Sequence, residues 1–250
     1  GRDIDGSRVR GCSANVDEAL AKMGYRLNVV SAEVFFSSGV LLVEGPSERL
    51  FYTALSHALD RNIDQSNISI LSVDGVGFEP YMRTCVELGI PFALRTDNDV
   101  FKSNDGLKKR LAGLKRVADL AEKFIGDETL NVLIEKTKDD LSWEAAEEQP
   151  EGVKTAEREL VDAFEKHGLF LSSHKDLEND LVFGPLSEEL MKFFGMEDPK
   201  GAVRVMQERK AENMHKFIGS NPTLACLRDD PIAAPLLYIQ NQVRGLSIEQ

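Results

Sequence analysis

The stretch Val40-Leu-Leu-Val-Glu44-Gly-Pro-Ser-Glu48 decides the fold of this chain. Four apolar residues followed directly by Glu-Gly-Pro are typical of a strand that is buried on both faces and then turns into a helix. Pro46 suits the first turn of that helix, Ser47 can cap it, and apolar residues recur at helical spacing beyond it. The stretch therefore predicts a parallel sheet covered by helices, with Glu44 at one edge of the sheet.

Two more strands follow at regular spacing. Residues 68–73 and 92–96 have strand character, and residues 79–88 between them have helical periodicity. Alternating strands and helices predict a parallel sheet with right-handed crossovers, in which ligands bind beyond the carboxyl ends of the strands. The fold class is therefore α/β, with helices flanking the sheet.

Two acidic pairs fall at these predicted strand ends, namely Glu44 with Glu48 and Asp97 with Asp99. Carboxylates that lie a few ångströms apart resist joint ionisation unless cations are present. Oxygen ligands of this kind are the ones that Mg²⁺ prefers, and a few carboxylates suffice to hold it. The pattern therefore predicts a Mg²⁺ or Mn²⁺ site.

The remaining chain divides into an insertion and a completion of the sheet. Residues 107–126, 128–138 and 155–167 are predicted to be helical, and a strand resumes at 169–173 before the acidic pair Glu178 and Asp180. Helices are predicted at 187–194, 201–218 and 231–243. The expected division is an N-terminal helix (15–24) and lead-in over 1–39, the first part of the core over 40–104, a helical insertion over 105–168, and completion with C-terminal helices over 169–250.

Composition restricts the class of protein. The chain has 250 residues, of which 42% are hydrophobic, and a net charge of −12, which argues against binding nucleic acid through the overall field but not against a local site. Its three cysteines are widely spaced and suggest neither a disulfide framework nor a zinc site, and Cys85 is expected in the core.

No apolar run reaches the roughly 20 residues of a membrane span, and there is no secretory signal. We expect a cytoplasmic protein, and a fragment of a longer one because no Met begins the chain.

A basic run follows Asp99 and comprises Lys102, Lys108, Lys109, Arg110, Lys115 and Arg116. On the predicted helix, Lys108 would share a face with Lys115, and Lys109 with Arg116, giving a stripe that can hold phosphates. A solvated helix face is the alternative. No interleaved aromatic residues indicate base stacking.

These features together resemble a Toprim domain, the metal-binding catalytic fold of bacterial primases, topoisomerases and certain nucleases. The shared features are Glu44 after the first strand, Asp97 with Asp99 after the third, and Gly75 with Gly77 in the turn after the second. The doubled Val-Glu44-Gly-Pro-Ser-Glu48, the helical insertion and Leu177-Glu178-Asn-Asp180 resemble more specifically the C-terminal nuclease half of the overcoming-lysogenization-defect (OLD) proteins. The resemblance runs from about residue 31 to 219.

The resemblance implies a metal-dependent DNA endonuclease that uses two Mg²⁺ or Mn²⁺ ions. The implied metal ligands are Glu44, Glu48, Asp97, Asp99, Glu178 and Asp180. The implied catalytic residues are Glu44, Asp97, Asp99 and a lysine, which we place at Lys210, with Lys192 and Lys216 as competitors. An ABC-type ATPase half is expected to precede this chain, which has no Gly-x4-Gly-Lys-Ser/Thr loop of its own.

Other interpretations of the same residues stay open. Glu48 can be a favourable charge in the first turn of its helix, Glu178 and Asp180 can belong to a solvated turn, and Lys210 can be a solvated helix lysine. A phosphatase of the haloacid-dehalogenase type also has Asp-x-Asp at a strand end, but Phe101 stands where Thr or Val is usual and the motif normally opens that fold. A non-catalytic Mg²⁺-binding domain is a third possibility. The apolar stretch 235–239 is either a core helix or the interface of a homodimer.

Overall fold

A four-stranded parallel sheet lies at the centre of the molecule. The computed structural model describes residues 2–3, 6–7, 33–60, 63–74, 77–138 and 141–248. The strands of the sheet are β1 (Gly39–Val43), β2 (Ile68–Ser72), β3 (Phe92–Thr96) and β7 (Leu169–Leu171), in the order β2-β1-β3-β7. The predicted parallel α/β fold is confirmed, and β1 lies between two partners, as its apolar sequence indicated.

Helices cover both faces of this sheet. They are α1 (Pro46–Ala58), α2 (Glu79–Leu88), α3 (Ala112–Phe124), α4 (Glu128–Thr137), α5 (Glu151–Glu165), α6 (Leu177–Val182), α7 (Ser187–Phe194), α8 (Pro199–Glu208), α9 (Lys210–Gly219) and α10 (Ala234–Ile248). Short 3-10 turns occupy Glu33–Phe36, Leu224–Leu227 and Pro231–Ala233. None of the helices described is long and apolar enough to cross a membrane.

A hydrophobic core lies on each face of the sheet. Alternate residues of β1 pack into one core or the other, because successive side chains of a strand point to opposite faces. Leu41 and Val43 belong to the core formed with α1 and with helices α6 to α10. Val40 and Leu42 belong to the core formed with α2, α3, α4 and α5. All five residues of β1 are buried, so the strand is fixed from both sides and its carboxyl end holds Glu44 in a defined position.

The segment after Asp99 differs from the predicted helical insertion. An antiparallel ribbon of β4 (Val100–Lys102), β5 (Lys108–Leu111) and β6 (Ser142–Glu144) precedes and interrupts the helices. The expected helix over 107–126 therefore begins only at Ala112. The sequence Lys-Lys-Arg-Leu lacks a helical apolar period, and the ribbon is completed by β6, whose Trp143 packs into the core beside the sheet. The predicted insertion over 105–168 is thus mixed, and the domain boundaries stay a prediction.

The helix predicted over 201–218 is two helices. The backbone leaves the helical region at Arg209 (φ −144°, ψ 66°), so α8 ends at Glu208 and α9 begins at Lys210. Asn213 Nδ2 donates to the Val205 carbonyl at 2.6 Å, which satisfies one carbonyl freed by the break. The break places Lys210 at the start of a helix instead of in the middle of one. The predicted N-terminal helix over 15–24 lies outside the described residues.

Candidate active site

Glu44 is the anchor of the acidic edge. It follows β1 directly, and its Oε1 accepts hydrogen bonds from the Thr96 hydroxyl and from the Asp97 backbone amide, the latter at 3.0 Å. Arg116 Nη1 lies 2.7 Å from the same oxygen. The end of β1 is therefore tied to the end of β3, and the two predicted acidic pairs do meet at one edge of the sheet.

Asp97 is a largely buried carboxyl with an unusual titration. Burial, followed by the neighbouring charge of Glu44, raises the pKa of Asp97 to about 8. Its Oδ1 is buried and has no hydrogen-bond partner within the described part of the chain. A carboxyl that resists ionisation and has an unused oxygen is suited to a strong positive charge beside it.

Asp99 is held by the start of α3. Its carbonyl accepts hydrogen bonds from the amides of Ala112 at 2.8 Å and Gly113 at 3.1 Å. A Cβ on Gly113 would lie 2.3 Å from the Asp97 carbonyl, so only glycine permits this approach. Arg116, one turn further along α3, extends Nη2 to within 3.2 Å of Asp99 Oδ2. The Asp97–Asp99 loop is thus positioned by one helix, which also supplies the cation between Glu44 and Asp99.

Glu48 and Glu178 form a buried acidic pair on the other side of the site. Glu48 lies in the first turn of α1 and is 4% exposed, and its pKa is raised by burial, against the opposing charge of Arg95. Ser47 does not cap α1; its hydroxyl donates to Glu178 Oε1 at 3.1 Å. Glu178, at the start of α6, is fully buried. The solvated-turn interpretation is therefore wrong for Glu178.

Lys210 is the lysine that the structure brings to these acids. Its Nζ lies 2.8 Å from Glu178 Oε2 and 3.6 Å from Asp176 Oδ2. Burial opposes its charge, but the contact with Glu178 and the charges of Asp176 and Asp97 raise its pKa. The competitor Lys216 pairs with Glu212 on its own helix at 2.6 Å, and Lys192 is exposed on α7. Among the three candidate lysines, Lys210 is therefore the one that contacts the acidic residues, and its catalytic role stays a prediction.

Asp180 does not share a face with Glu178. Both lie on α6, where residues two positions apart point in nearly opposite directions. Asp180 Oδ2 lies 2.7 Å from Arg95 Nη2, with both side chains almost fully buried, and Oδ1 accepts from the His174 backbone amide at 2.7 Å. The resemblance implied that Glu178 and Asp180 hold the metal together. In the structure the segment is helical, so the two side chains point apart, and the oxygens of Asp180 are already occupied.

The basic run also divides differently from the prediction. Lys108 and Lys109 lie on β5, whereas Lys115 and Arg116 lie on α3, so the two predicted helical stripes do not exist. Lys109 donates to the Glu147 carbonyl at 3.3 Å, and Lys115 pairs with Asp119 at 3.1 Å. Arg116, which we expected at phosphates, instead joins Glu44 to Asp99.

The acidic side chains of the site have the ligand chemistry that a divalent cation requires, but they are only partly arranged to bind one. They offer oxygen ligands, and the buried Asp97 Oδ1 has no hydrogen-bond partner among the described residues. Over the residues that the structure describes, no three His, Cys, Asp or Glu side chains form a ready metal-binding group. Arg116 and Lys210 provide the positive charge between the acids in this arrangement.

Sequence reasoning missed Arg95 and gave Arg116 the wrong partners. Arg95 is a charged residue in the middle of the apolar strand Phe-Ala-Leu-Arg-Thr, and it is 2% exposed. A lone arginine in a buried strand requires an acidic partner, so its presence in the sequence indicated a buried ion pair. Arg116 carried no comparable signal, because a basic residue on a helix among other basic residues is ordinary.

Comparison with known proteins identifies the domain. Residues 35–99 match the family model described as "Overcoming lysogenization defect protein-like, TOPRIM domain". The chain is 30% identical over 214 residues to "Endonuclease GajA" of Bacillus cereus (strain VD045), an alignment that covers 85% of this chain and 36% of that protein. The chain thus spans about a third of the length of the curated relative that it matches.

Two solved structures resemble this chain, and the first of them supports the fold. The "C-terminal region of the Burkholderia pseudomallei OLD protein" is 21% identical, with a TM-score of 0.54, covering 83% of this chain and 98% of that one. The corresponding region of the Xanthomonas campestris pv. campestris OLD protein gives a TM-score of 0.49 at 20% identity, over 85% of this chain and 96% of that one. The Burkholderia match shows that the sheet and its helices follow the fold of an OLD C-terminal region.

Proposed function

Because residues 35–99 form an OLD-like TOPRIM domain, we propose that this chain is a DNA endonuclease that hydrolyses phosphodiester bonds with bound divalent cations. The observation that carries the proposal is the convergence of Glu44, Asp97 and Asp99 at one edge of the sheet, with an unpartnered buried oxygen on Asp97. The name of the Bacillus relative, an endonuclease, supports the same reaction class.

Glu44, Glu48, Asp97 and Asp99 are the residues that would hold the ions, which we propose to be two Mg²⁺ or Mn²⁺. Glu178, whose two oxygens contact Ser47 and Lys210, would position Lys210 beside them. When bound, such ions neutralise charge on the scissile phosphate and lower the pKa of the attacking water. The site walls are rigid on both sides, because β1 and β3 are tied together through Glu44 and the Asp97–Asp99 loop is fixed by α3. Asp180 is left to position Arg95, which lies beside Glu48 and Asp97.

Lys210 is proposed as the catalytic cation. Its ammonium group reaches the acidic edge from the first position of α9, and the acids around it keep it protonated. A fixed positive charge at that place can stabilise the charge that develops on the phosphate or on the leaving oxygen. Contact with Glu178 holds the ammonium group in position while the substrate is absent.

The longer protein is also a proposal. The chain matches 36% of the Bacillus endonuclease, so further sequence is expected beside it, and we propose an ABC-type ATPase half that precedes this chain. Lys108, Lys109 and Lys115 are proposed to contact DNA phosphates from the ribbon and from α3. A homodimer through residues 235–239 is not supported by their position, because Leu236 and Ile239 are buried in the core of the described chain.

Cleavage of supercoiled plasmid in Mg²⁺ or Mn²⁺ tests the nuclease function. We expect nicked or linear product from the wild-type chain and none from Asp99→Asn. The matched control is Glu159→Gln, which removes one acid from the exposed face of α5. Absence of cleavage in every metal, together with phosphate release from small monoesters, would instead support a phosphatase and overturn the proposal.

A further inference from the structure

A cavity of about 630 Å³ opens next to Glu44. One wall comes from the ribbon and α3, with Arg110, Lys115 and Lys123, and the floor is apolar, with Val73, Phe78 and Leu120. This volume lies within the range of sites that enclose a small organic ligand. Glu79 and Asp119 also line the cavity and pair with Lys123 and Lys115, so the cavity offers apolar surface and, at Arg110, a cation without such a partner among the described residues.

Phe101 gives this cavity an exposed aromatic ring. Phe101 and Arg110 are directly paired across β4 and β5, so their side chains project from the same face of the ribbon, and both line the cavity. The ring is 51% exposed, so a ligand can reach it. Arg110 makes no side-chain ion pair with any of the described residues, although most cations of this wall do.

The ribbon is rigidly linked to the acidic edge. β4 begins at Val100, immediately after Asp99, and the amides at the start of α3 hold the Asp99 carbonyl. A ligand between Phe101 and Arg110 is therefore at a fixed distance from the residues proposed to hold the ions. Glu44 lines the same cavity as Phe101 and Arg110, so one ligand can contact both.

We infer that Phe101 and Arg110 form a subsite for one unpaired nucleotide of the DNA strand that enters the site at Glu44. The inference rests on the proposed nuclease function and adds a substrate class to it, namely DNA with an unpaired segment beside the cleavage position. A guanidinium binds the phosphate and an aromatic face stacks on the base. A base inside a duplex is already stacked and cannot reach such a ring unless it is extruded.

Binding of two labelled oligonucleotide duplexes tests the subsite, with Ca²⁺ in place of Mg²⁺. One duplex is blunt, and the other carries a three-nucleotide unpaired tail that contains 2-aminopurine. We expect quenching of 2-aminopurine by the wild-type chain and about 10-fold weaker binding of the tailed duplex by Phe101→Ala, with binding restored by Phe101→Trp. Phe36→Ala is the control, since Phe36 is 80% exposed and precedes the opposite end of β1.

The outcomes separate this inference from the nuclease proposal. Equal affinities of Phe101→Ala and Phe36→Ala for the tailed duplex, or an equal loss on the blunt duplex, would overturn the subsite even if the wild-type chain cuts plasmid. Phe101-dependent quenching by a chain that cuts no DNA in any metal would keep the subsite and overturn the nuclease. Arg110→Gln should weaken binding to the tailed duplex and reduce its salt dependence, because one phosphate contact is lost.

Discussion

Two clusters at the acidic edge are each built from one partly exposed cation and two acids, and they differ in the burial of the acids. The open cluster joins Arg116 to Glu44 and Asp99, with side chains that are 23 to 34% exposed. The closed cluster joins Lys210 to Glu178 and Asp176, whose acidic side chains are 0% and 5% exposed. The same kind of contact therefore has different consequences on the two sides of the site.

The two clusters behave differently because water reaches the acids of the open cluster and not those of the closed one. Charges that reach water lose little when a partner leaves, whereas a fully buried carboxylate without its partner is costly. The open cluster can therefore exchange its arginine for another cation, and the closed cluster cannot release its lysine without loss of stability. We interpret the open side as the place where ligands enter and the closed side as a preformed wall.

Glu44→Gln should separate activity from stability most strongly. We expect plasmid cleavage to fall by about 10³-fold, because Glu44 is a proposed metal ligand and the substitution removes its negative charge. The melting temperature should change little, since Glu44 is partly exposed. Single-turnover cleavage and thermal denaturation measure the two effects. A melting temperature that falls as far as that of Lys210→Met would break the comparison between the clusters.

Lys210→Met should act on stability as well as on cleavage. The substitution leaves Glu178 fully buried without its cation, and we expect a loss of about 2 to 3 kcal/mol in the free energy of unfolding. The double variant Glu178→Gln with Lys210→Met removes the uncompensated charge and should recover part of this loss while remaining inactive. Urea denaturation gives the free energies. If the double variant is no more stable than Lys210→Met, the closed cluster does not carry the stability assigned to it.

Asp97→Asn should stabilise the metal-free protein at high pH. The pKa of Asp97 is raised from 3.8 to about 8, so the folded chain binds an extra proton between these values. The stability that this proton provides is complete below about pH 4 and is lost as pH rises through 8. We expect Asp97→Asn to melt at nearly the wild-type temperature below about pH 4, above it by about half of the final difference at pH 6, and about 2 to 4 °C above it at pH 9.

Added Mg²⁺ sharpens this test. It should raise the melting temperature of the wild-type chain at pH 9 more than at pH 6, because ligand carboxylates must lose their protons before they bind a metal. Asp97→Asn should respond less to Mg²⁺ at both pH values. A lower melting temperature of Asp97→Asn at pH 9 would show that the carboxylate of Asp97 is already compensated within the chain.

The sheet and the open side of the site were predictable from local sequence. A run of four apolar residues in an α/β chain is typical of a buried parallel strand. The carboxyl ends of parallel strands lie at the same edge of the sheet, so acids directly after such strands lie there too. This reasoning placed Glu44, Asp97 and Asp99 together, and burial of Cys85 in the core is confirmed as well. Each prediction depended on residues within one element and on the parallel order of the strands.

The errors arose where distant elements decide the local conformation. Lys108 to Leu111 form a strand because β4 and β6 are beside them, and no local periodicity reports that pairing. The two-residue spacing of Glu178 and Asp180 does not show which way their side chains point. Asp176 caps a helix at this place, and the helix directs the two side chains apart. The partners of Arg116 depend on the residue at which α3 begins. That residue is Ala112, because strand β5 of the ribbon ends at Leu111.

Arg116→Met should alter metal affinity by a smaller factor than the changes above. Arg116 holds Glu44 and Asp99 at 2.7 and 3.2 Å, so a divalent ion that uses both acids has to displace the guanidinium. Removal of this competitor should tighten Mn²⁺ binding by about 3- to 10-fold, which corresponds to roughly 1 kcal/mol for a partly exposed pair. Titration followed by the electron paramagnetic resonance signal of free Mn²⁺ measures the affinity without turnover. Arg116→Lys keeps the charge and should remain near wild type; weaker Mn²⁺ binding by Arg116→Met would mean that Arg116 positions the acids for the ion instead of competing with it.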